Sequence, residues 1–310
     1  ARNAPDLYDW YSGVYDLEVP QRMRAAASSE TLKTIQETED HRWMSKDERD
    51  RWEDVLKDLL AKAEANSDPN NLSQVEAVEQ SDLLGQLGQL YLQRAEYEKA
   101  REYFTCALKI SEKAFGPNHP NIATRLNNLA YVLKNLGDLQ NARTLIERSL
   151  KIDEESLGPN HPNVAIDLNN LASVSQSLGE LQQAKDFVER SLKISEEAFG
   201  QTHPKVAIRL TNLAEVLRNL GELQQAKDFV ERSLKIDEAA FGPNHPNVAN
   251  RLNNLALVLQ ELGELQNARD LFERSLGIFR QFLGENHPNT KTVKQNLDAV
   301  LKELGETGGK

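Results

Sequence analysis

A loop motif that returns at a constant interval constrains the fold of this chain more than any other feature. The motif Gly-x-x-His-Pro occurs at Gly116–Pro120, Gly158–Pro162, Gly200–Pro204, Gly242–Pro246 and Gly284–Pro288. Each copy begins 42 residues after the one before it. The segment GELQQAKDFVERSLKI is also identical at Gly179–Ile194 and Gly221–Ile236. A period of this length indicates one supersecondary unit that is stacked on copies of itself.

Each unit is predicted to fold as two helices. The apolar residues of the first helix recur at spacings of three and four, as in Leu126, Leu129, Ala130, Leu133 and Leu136. Gly137 is expected to end this helix, because glycine adopts the left-handed cap conformation without a steric penalty. The second helix repeats the apolar pattern up to Gly158, and the loop prolines prevent it from continuing. The pattern predicts an all-α protein.

The repeat also predicts the limits of the domains. Helix pairs are expected at 79–116, 121–158, 163–200, 205–242 and 247–284, with a C-terminal capping helix at 289–305. Together they form a predicted solenoid of residues 71–305, because one helix pair cannot bury its apolar stripe alone. The capping helix has Lys294 and Asp298 where other units have Leu and Ala, so we expect the array to end there. Residues 306–310 are expected to form a flexible tail.

Residues 1–70 lie outside the repeat and are predicted to form a helical extension. The segment LYDWYSGVYDLEVP concentrates aromatic residues, and a helix is expected over residues 21–38. Ser45 and Glu48 form a predicted capping box that opens a further helix. The apolar side of that helix is expected to contain Trp52, Val55, Leu56, Leu59 and Leu60. We interpret the extension as a cap over the first repeat. A docking surface or the remnant of an upstream module are the alternatives.

Charge and composition exclude several classes of function. A net charge of -11 disfavours nucleic acid as a partner, since proteins that bind it usually concentrate Lys and Arg. The single Cys106 excludes an internal disulfide framework and suits a reducing compartment. Neither a membrane-spanning stretch nor a secretory signal is apparent, so we expect a cytoplasmic protein without a membrane partner. The absence of a nucleophile motif or phosphate-binding loop predicts no enzymatic activity and no cofactor.

The five loop histidines suggest a metal site, but their spacing excludes it. Equivalent residues of stacked helices lie at least about 8–10 Å apart, whereas zinc needs each ligand within about 2.1 Å. We therefore predict no metal. The histidines are expected to fix the turn and the start of the next helix. They are His119, His161, His203, His245 and His287.

The repeat resembles the tetratricopeptide pattern, with small residues at fixed points of both helices. The 42-residue variant, HPNVAxxLNNLAxVLxxLG followed by ERSLKIxExxFGPNHP, is similar to the repeats of kinesin light chain. Similar arrays follow the nucleotide-binding modules of bacterial signal-transduction ATPases. The resemblance covers residues 83–305 and implies a right-handed α-solenoid of antiparallel helix pairs that binds a protein or peptide. Residues 1–80 lack sustained heptads, so a bacterial-type array is favoured over a motor subunit.

The resemblance implies that the first helices line a concave groove. In this family, the residue two positions before the central small residue faces that groove, and here it is Asn128, Asn170, Asn212, Asn254 and Asn296. Three more asparagines lie beside the same face, Asn127, Asn169 and Asn253. A side-chain amide both donates and accepts hydrogen bonds, so a ladder of amides can hold an extended peptide. Alternatively, each asparagine bonds to a neighbouring helix and organises the stack.

Basic residues near this face suggest the character of the peptide. Lys134 and Arg218 lie one turn further along the helix. In kinesin light chain, a basic residue at this position resembles a contact that reads an acidic side chain. Arg125, Arg209 and Arg251 are expected to add positive charge near the rim. This pattern indicates a partly acidic peptide, and ordinary solvated surface is the alternative for each charge taken singly.

The leading hypothesis is therefore a scaffold that binds a peptide or protein segment in the groove. One alternative is a sensor or regulatory arm of a larger signal-transduction ATPase or effector protein. Another is a self-assembling array, which the acidic surface argues against. The chain is expected to be a monomer or part of a larger multidomain chain.

Overall fold

A computed structural model of the chain describes residues 46–68 and 72–305. Within these ranges the chain forms twelve α-helices and no strand, which confirms the all-α prediction. The aromatic segment, the helix over residues 21–38, the Ser45 capping box and the tail at 306–310 lie outside the described residues.

The helices alternate along the chain as the period predicts. They are α1 (Lys46–Ala65), α2 (Gln74–Gln93), α3 (Tyr97–Phe115), α4 (Pro120–Leu136), α5 (Leu139–Leu157), α6 (Pro162–Ser177), α7 (Leu181–Phe199), α8 (Pro204–Asn219), α9 (Leu223–Phe241), α10 (Pro246–Glu261), α11 (Leu265–Leu283) and α12 (Pro288–Glu303). Even-numbered helices from α2 to α12 are the first helices of their repeats, and odd-numbered helices from α3 to α11 are the second helices.

The described residues fall into two compact units, one ending at Pro159 and the other beginning at Asn160. In the first unit, each helix from α1 to α5 packs against the next. In the second unit, α6 to α12 pack in the same sequential way, and α8 also contacts α6 and α10. First helices of successive repeats are therefore neighbours. A single hydrophobic core runs from Ala172 in α6 to Val300 in α12, as expected for stacked helix pairs.

Each Gly-x-x-His-Pro loop starts the next helix in the same way. The histidine is the N-cap, and its Nδ1 accepts a hydrogen bond from the backbone N–H two residues later, at 3.1 to 3.2 Å. Proline occupies the first helical position, where no N–H donor is needed. At the other end of α4, Gly137 adopts the left-handed conformation with φ of 88°. The predicted structural role of the histidines is confirmed, because each one satisfies an orphan N–H group.

Close helix packing in the first repeat depends on the absence of a side chain at Gly88. A Cβ atom built at this position would lie 2.8 Å from the ring of Phe104 in α3. The Phe104 ring is itself buried, with 1% of its surface exposed. The next four repeats have alanine at the position of Gly88, and α12 has Asp298 there. The ring and the glycine are therefore matched in size.

Helix α1 packs against α2 of the first repeat through an apolar cluster. Trp52 and Leu56 are buried against Leu83, Leu87 and Leu90 of α2. Leu59 and Leu60 pack against the same cluster. The expectation for Val55 is wrong, since 39% of its surface is exposed. Val55 lies at one edge of the apolar stripe, and Leu60 extends the packed surface on the opposite side.

A polar cluster centred on Glu53 also joins α1 to α2. The Glu53 carboxylate accepts hydrogen bonds from Tyr91 Oη at 2.5 Å, from Lys57 Nζ at 2.6 Å and from the Arg94 guanidinium. Arg94 also pairs with Asp50 at 2.5 Å. Burial alone would raise the pKa of Glu53. The hydrogen bonds from Lys57, Tyr91 and Arg94 outweigh burial and lower this pKa from 4.5 to about 2.

We expect the docking of α1 to weaken as the pH falls from 4.5 towards about 2. Since the pKa of Glu53 is lower in the folded state, its ionised form stabilises docking above pH 4.5, and this contribution is lost as the pH falls through about 2. Trp52 fluorescence reports docking in a Trp10→Phe, Trp43→Phe background, which leaves one of the three tryptophans. Glu53→Gln should dock more weakly at neutral pH and show a flatter profile in this window. Identical profiles for both proteins would contradict the assignment.

Candidate functional site

The first helices carry asparagine at one repeated position, which we call the asparagine position. Asn128, Asn212, Asn254 and Asn296 are half-buried there, whereas Asn170 is buried with 1% of its surface exposed. In the unit from Asn160 onward, the half-buried members lie on α8, α10 and α12, and α10 contacts both of the other helices. These three residues, with their neighbours on the same side, form a surface that we call the asparagine face.

Residues one turn away on the same side complete the asparagine face. Side chains three and four positions apart share one side of a helix. Asn250 and Leu257 flank Asn254 in this way, and both are half-buried. Ile208 and Glu215 flank Asn212. These four residues were not predicted from the sequence. The spacing of four and three around each asparagine was the available signal.

The residue immediately before the asparagine position, which we call the preceding position, is buried on the first helices from α2 to α10, whereas Gln295 on α12 is exposed. Asn127 has 5% of its surface exposed, and its Nδ2 donates to Ser149 Oγ at 2.9 Å. Ser149 Oγ in turn donates to the Ala123 carbonyl at 3.1 Å. This chain of hydrogen bonds ties α5 to α4 within one repeat. Asn169 and Asn253 are equally buried, at 4% each.

Two asparagines of the face also bridge successive repeats. Asn212 Nδ2 donates to Asn169 Oδ1 at 2.5 Å, which connects α8 to α6. Asn296 Nδ2 donates to Asn253 Oδ1 at 3.0 Å, which connects α12 to α10. Stack organisation and an open amide surface therefore coexist, because each bridging amide uses only one of its two N–H groups in the bridge.

The arginines expected near the rim turn towards packed helices instead. Arg251 has 1% of its surface exposed, and its Nε donates to Asp237 Oδ2 of α9 at 2.9 Å. Arg209 is buried, with 4% exposed. Arg125 is half-buried and pairs with Asp82 of α2. Arg209 and Arg251 therefore lie inside the stack and not at its rim.

The two remaining basic residues differ in their access to solvent. Lys134 is buried, with 9% of its surface exposed. Arg218 is half-buried on α8, and its Nε lies 3.6 Å from a carboxylate oxygen of Glu261 on α10. At the same repeat position on α10, Gln260 Nε2 donates a hydrogen bond to the Glu303 carboxylate of α12 at 2.5 Å. Arg218 is thus a basic side chain that borders the asparagine face with partial access to water, and Lys302 holds the same repeat position on α12 and is exposed.

Neither a metal cluster nor a membrane span is apparent in the described part of the chain. Residues 46–68 and 72–305 contain no group of three or more His, Cys, Asp or Glu side chains placed to hold a metal ion. None of the helices in those ranges combines the length and apolar character needed to cross a bilayer.

Antiparallel helix pairs that stack with their first helices side by side define a class of helical-repeat scaffolds. The family described as "Tetratricopeptide repeat" matches residues 79–134, 122–197, 168–239, 205–281 and 251–308. Since these matches cover well over half of the chain, it belongs to the tetratricopeptide repeat family. Repeats of this family form protein-interaction scaffolds, which are typically not catalytic.

Solved structures show the same fold at low sequence identity. The chain is similar to BtubC (BKLC) from P. vanneervenii, with 22% identity and a TM-score of 0.62, over 77% of this chain and 94% of that one. It is also similar to a putative kinesin light chain from Podosopora anserina with nearly identical TPR-like repeats. That match has 24% identity and a TM-score of 0.55, over 65% of this chain and 96% of that one. No curated protein matches the sequence.

Proposed function

We propose that this protein binds an extended segment of another protein along the asparagine face of α8, α10 and α12. The proposal depends chiefly on one observation, the row of half-buried amides of Asn212, Asn254 and Asn296 on neighbouring helices. An extended peptide presents N–H and C=O groups along its length, and an amide can pair with either.

The spacing of the row suits an extended chain. Packed helices lie about 8–10 Å apart, and a strand advances by roughly 3.3 Å per residue. Each repeat would therefore match about three residues of ligand. Between the amides, the half-buried Leu257 offers apolar surface for a ligand side chain. Backbone contacts would then supply general affinity, and this apolar residue would supply selectivity.

The charges on this face favour a ligand with an acidic side chain near α8. Arg218 lies at 3.6 Å from Glu261, which is longer than a direct hydrogen bond. A ligand carboxylate could therefore bind the guanidinium at closer range than Glu261 does. We also propose a reducing, cytoplasmic compartment, which the exposed free thiol of Cys106 supports.

Peptide selection followed by substitution tests this function. A phage-displayed peptide library is selected on the wild-type protein, and the recovered peptide is labelled and titrated. We expect Asn212→Ala, Asn254→Ala and Asn296→Ala combined to weaken binding by at most roughly a hundredfold, since each lost hydrogen bond costs up to about 1 kcal/mol. Asn267→Ala changes an exposed asparagine on the second helix α11 and should not affect binding.

Folding must be matched before these affinities are compared. Circular dichroism and thermal unfolding show whether the triple variant keeps the helical content of the wild type. Recovered peptides that bind the folded triple variant as tightly as the wild type would place the ligand elsewhere and contradict the proposal.

A further inference from the structure

We infer that the preceding position of one repeat decides whether the asparagine of the next repeat is free to bind a ligand. Two repeats show the bridged state. Asn169 accepts from Asn212 at 2.5 Å, and Asn253 accepts from Asn296 at 3.0 Å. In both cases the preceding position of the earlier repeat is asparagine, whose Oδ1 is a suitable acceptor.

Thr211 breaks this pattern in the middle of the unit from Asn160 onward. It occupies the preceding position of its repeat and is buried, with 2% of its surface exposed. Its Oγ1 hydrogen-bonds to the Ala207 carbonyl at 2.9 Å and to Ser233 Oγ at 3.2 Å. Both partners belong to the same repeat as Thr211. Its hydroxyl therefore turns inward and makes no bridge to Asn254.

Asn254 has a different hydrogen-bonding state from Asn212 and Asn296 as a result. Its Oδ1 accepts from Nδ2 of Asn253 at 3.3 Å, whereas its own Nδ2 makes no hydrogen bond to the residues that the structure describes. The side chain is half-buried and reaches solvent. Asn254 therefore presents two N–H groups and one remaining lone pair of its Oδ1.

The unit that ends at Pro159 contains an independent case. In the repeat before that of Asn128, the preceding position is Gly85. Glycine has no side chain that could accept a hydrogen bond from Asn128. A Cβ atom at Gly85 would lie 3.2 Å from Arg125 Nη1, so the space is used by the guanidinium that pairs with Asp82. Asn128 is half-buried and makes no hydrogen bond within the described ranges. A threonine and a glycine thus leave the next asparagine unbridged in the same way.

The class of ligand group follows from this chemistry and rests on the proposed function. A side chain with two free N–H groups and one lone pair already in a hydrogen bond favours a hydrogen-bond acceptor. Asn254 binds a backbone carbonyl or a carboxylate oxygen of the peptide, and it fixes the register of the peptide on the face. Asn212 and Asn296 keep one N–H in the stack and contribute less to binding.

Side-chain amide exchange tests the bridging without any ligand. In nuclear magnetic resonance spectra of the wild type, the Nδ2 hydrogens of Asn254 should exchange with water about fivefold faster than those of Asn212 and Asn296. Thr211→Asn restores the residue found in three other repeats, and it should slow the Nδ2 hydrogen exchange of Asn254 to the rate of Asn212. Thr211→Ser keeps the inward hydroxyl, and the Nδ2 hydrogen exchange of Asn254 should stay fast in this variant. Equal rates at Asn254 and Asn212 in the wild type would overturn the inference.

The peptide selected on the wild type tests the binding step. We expect Asn254→Ala and Thr211→Asn each to weaken its affinity about fivefold, with a smaller loss for Asn212→Ala. Wild-type affinity in Thr211→Asn, together with slowed exchange at Asn254, would overturn the role of Asn254 in binding. A library that yields no binder would reject the proposed function and this binding role together, whereas the exchange rates would still decide the bridging.

Discussion

Asp237→Ala is expected to lower the free energy of unfolding of the unit from Asn160 onward by about 3–5 kcal/mol. Asp237 and Arg251 each have 1% of their surface exposed and are 2.9 Å apart. Removing the carboxylate takes away the acidic partner that lies 2.9 Å from a guanidinium buried between α9 and α10. Arginine cannot relieve this by losing its proton at ordinary pH. Breaking a buried ion pair by removing one partner costs far more than the loss of packing around one small side chain.

The chain itself supplies a compensating variant. Phe279 and Val293 hold the positions that Asp237 and Arg251 hold one repeat earlier, and both are buried. Asp237→Phe with Arg251→Val therefore copies a natural apolar pair into the site. Apolar replacement of a buried ion pair is often neutral or stabilising, so the double variant should recover most of the lost stability.

Urea unfolding followed by circular dichroism measures both effects. Asp270→Ala is the matched control, because Asp270 is also paired with an arginine but has 62% of its side chain exposed. Its effect should stay within about 0.5 kcal/mol. A loss below about 1 kcal/mol in Asp237→Ala would show that water or a rearranged partner reaches Arg251.

Phe104→Ala is expected to cost about 3–5 kcal/mol in the unit that ends at Pro159. The ring is 1% exposed and fills the space that Gly88 leaves between α2 and α3. Since Gly88 has no side chain, no atom of α2 at this point can move in to fill the cavity. The reverse change, Gly88→Ala, places a methyl group 2.8 Å from the ring and should cost about 1–3 kcal/mol by overpacking.

A size-compensated variant distinguishes matched packing from a general loss of core. Ala172 and Val188 hold the positions of Gly88 and Phe104 two repeats later. Gly88→Ala with Phe104→Val copies this pair, and it should be more stable than Phe104→Ala. Thermal and urea unfolding of the wild type, Gly88→Ala, Phe104→Val and the double variant give the coupling free energy, which should exceed about 0.5 kcal/mol. Additive effects would show that the glycine and the ring do not depend on each other.

The sequence predicted the features that depend on nearby residues. Helix pairs follow from apolar spacing within each 42-residue unit, and the ends of helices follow from Gly137 and the loop prolines. The histidine caps could also be predicted, since each bond joins His119 or an equivalent residue to a backbone N–H two positions away. Local chemistry fixes all of these, and no knowledge of distant contacts is required.

Contacts between helices were harder to predict. Arg251 appears in sequence as one of many surface charges, and its burial depends on Asp237 in another helix. The hydrogen bonds of Asn254 depend on the residue type at Thr211, one repeat earlier. In both cases a side chain has two possible environments, and packing between helices decides which one it occupies. In both cases the environment of the side chain is decided by a residue in the adjacent repeat, and the sequence alone does not show which residues come into contact.

The buried ion pair also has a consequence for how the repeats find their correct order during folding. The segments Gly179–Ile194 and Gly221–Ile236 are identical, so apolar packing alone scarcely distinguishes α7 from α9. If α9 docked one repeat too late, the Asp237 carboxylate would meet Val293 on α12 and remain buried without a cation. Such a slipped assembly carries a large desolvation penalty. One charged pair thus distinguishes neighbours that their surrounding sequence makes almost interchangeable.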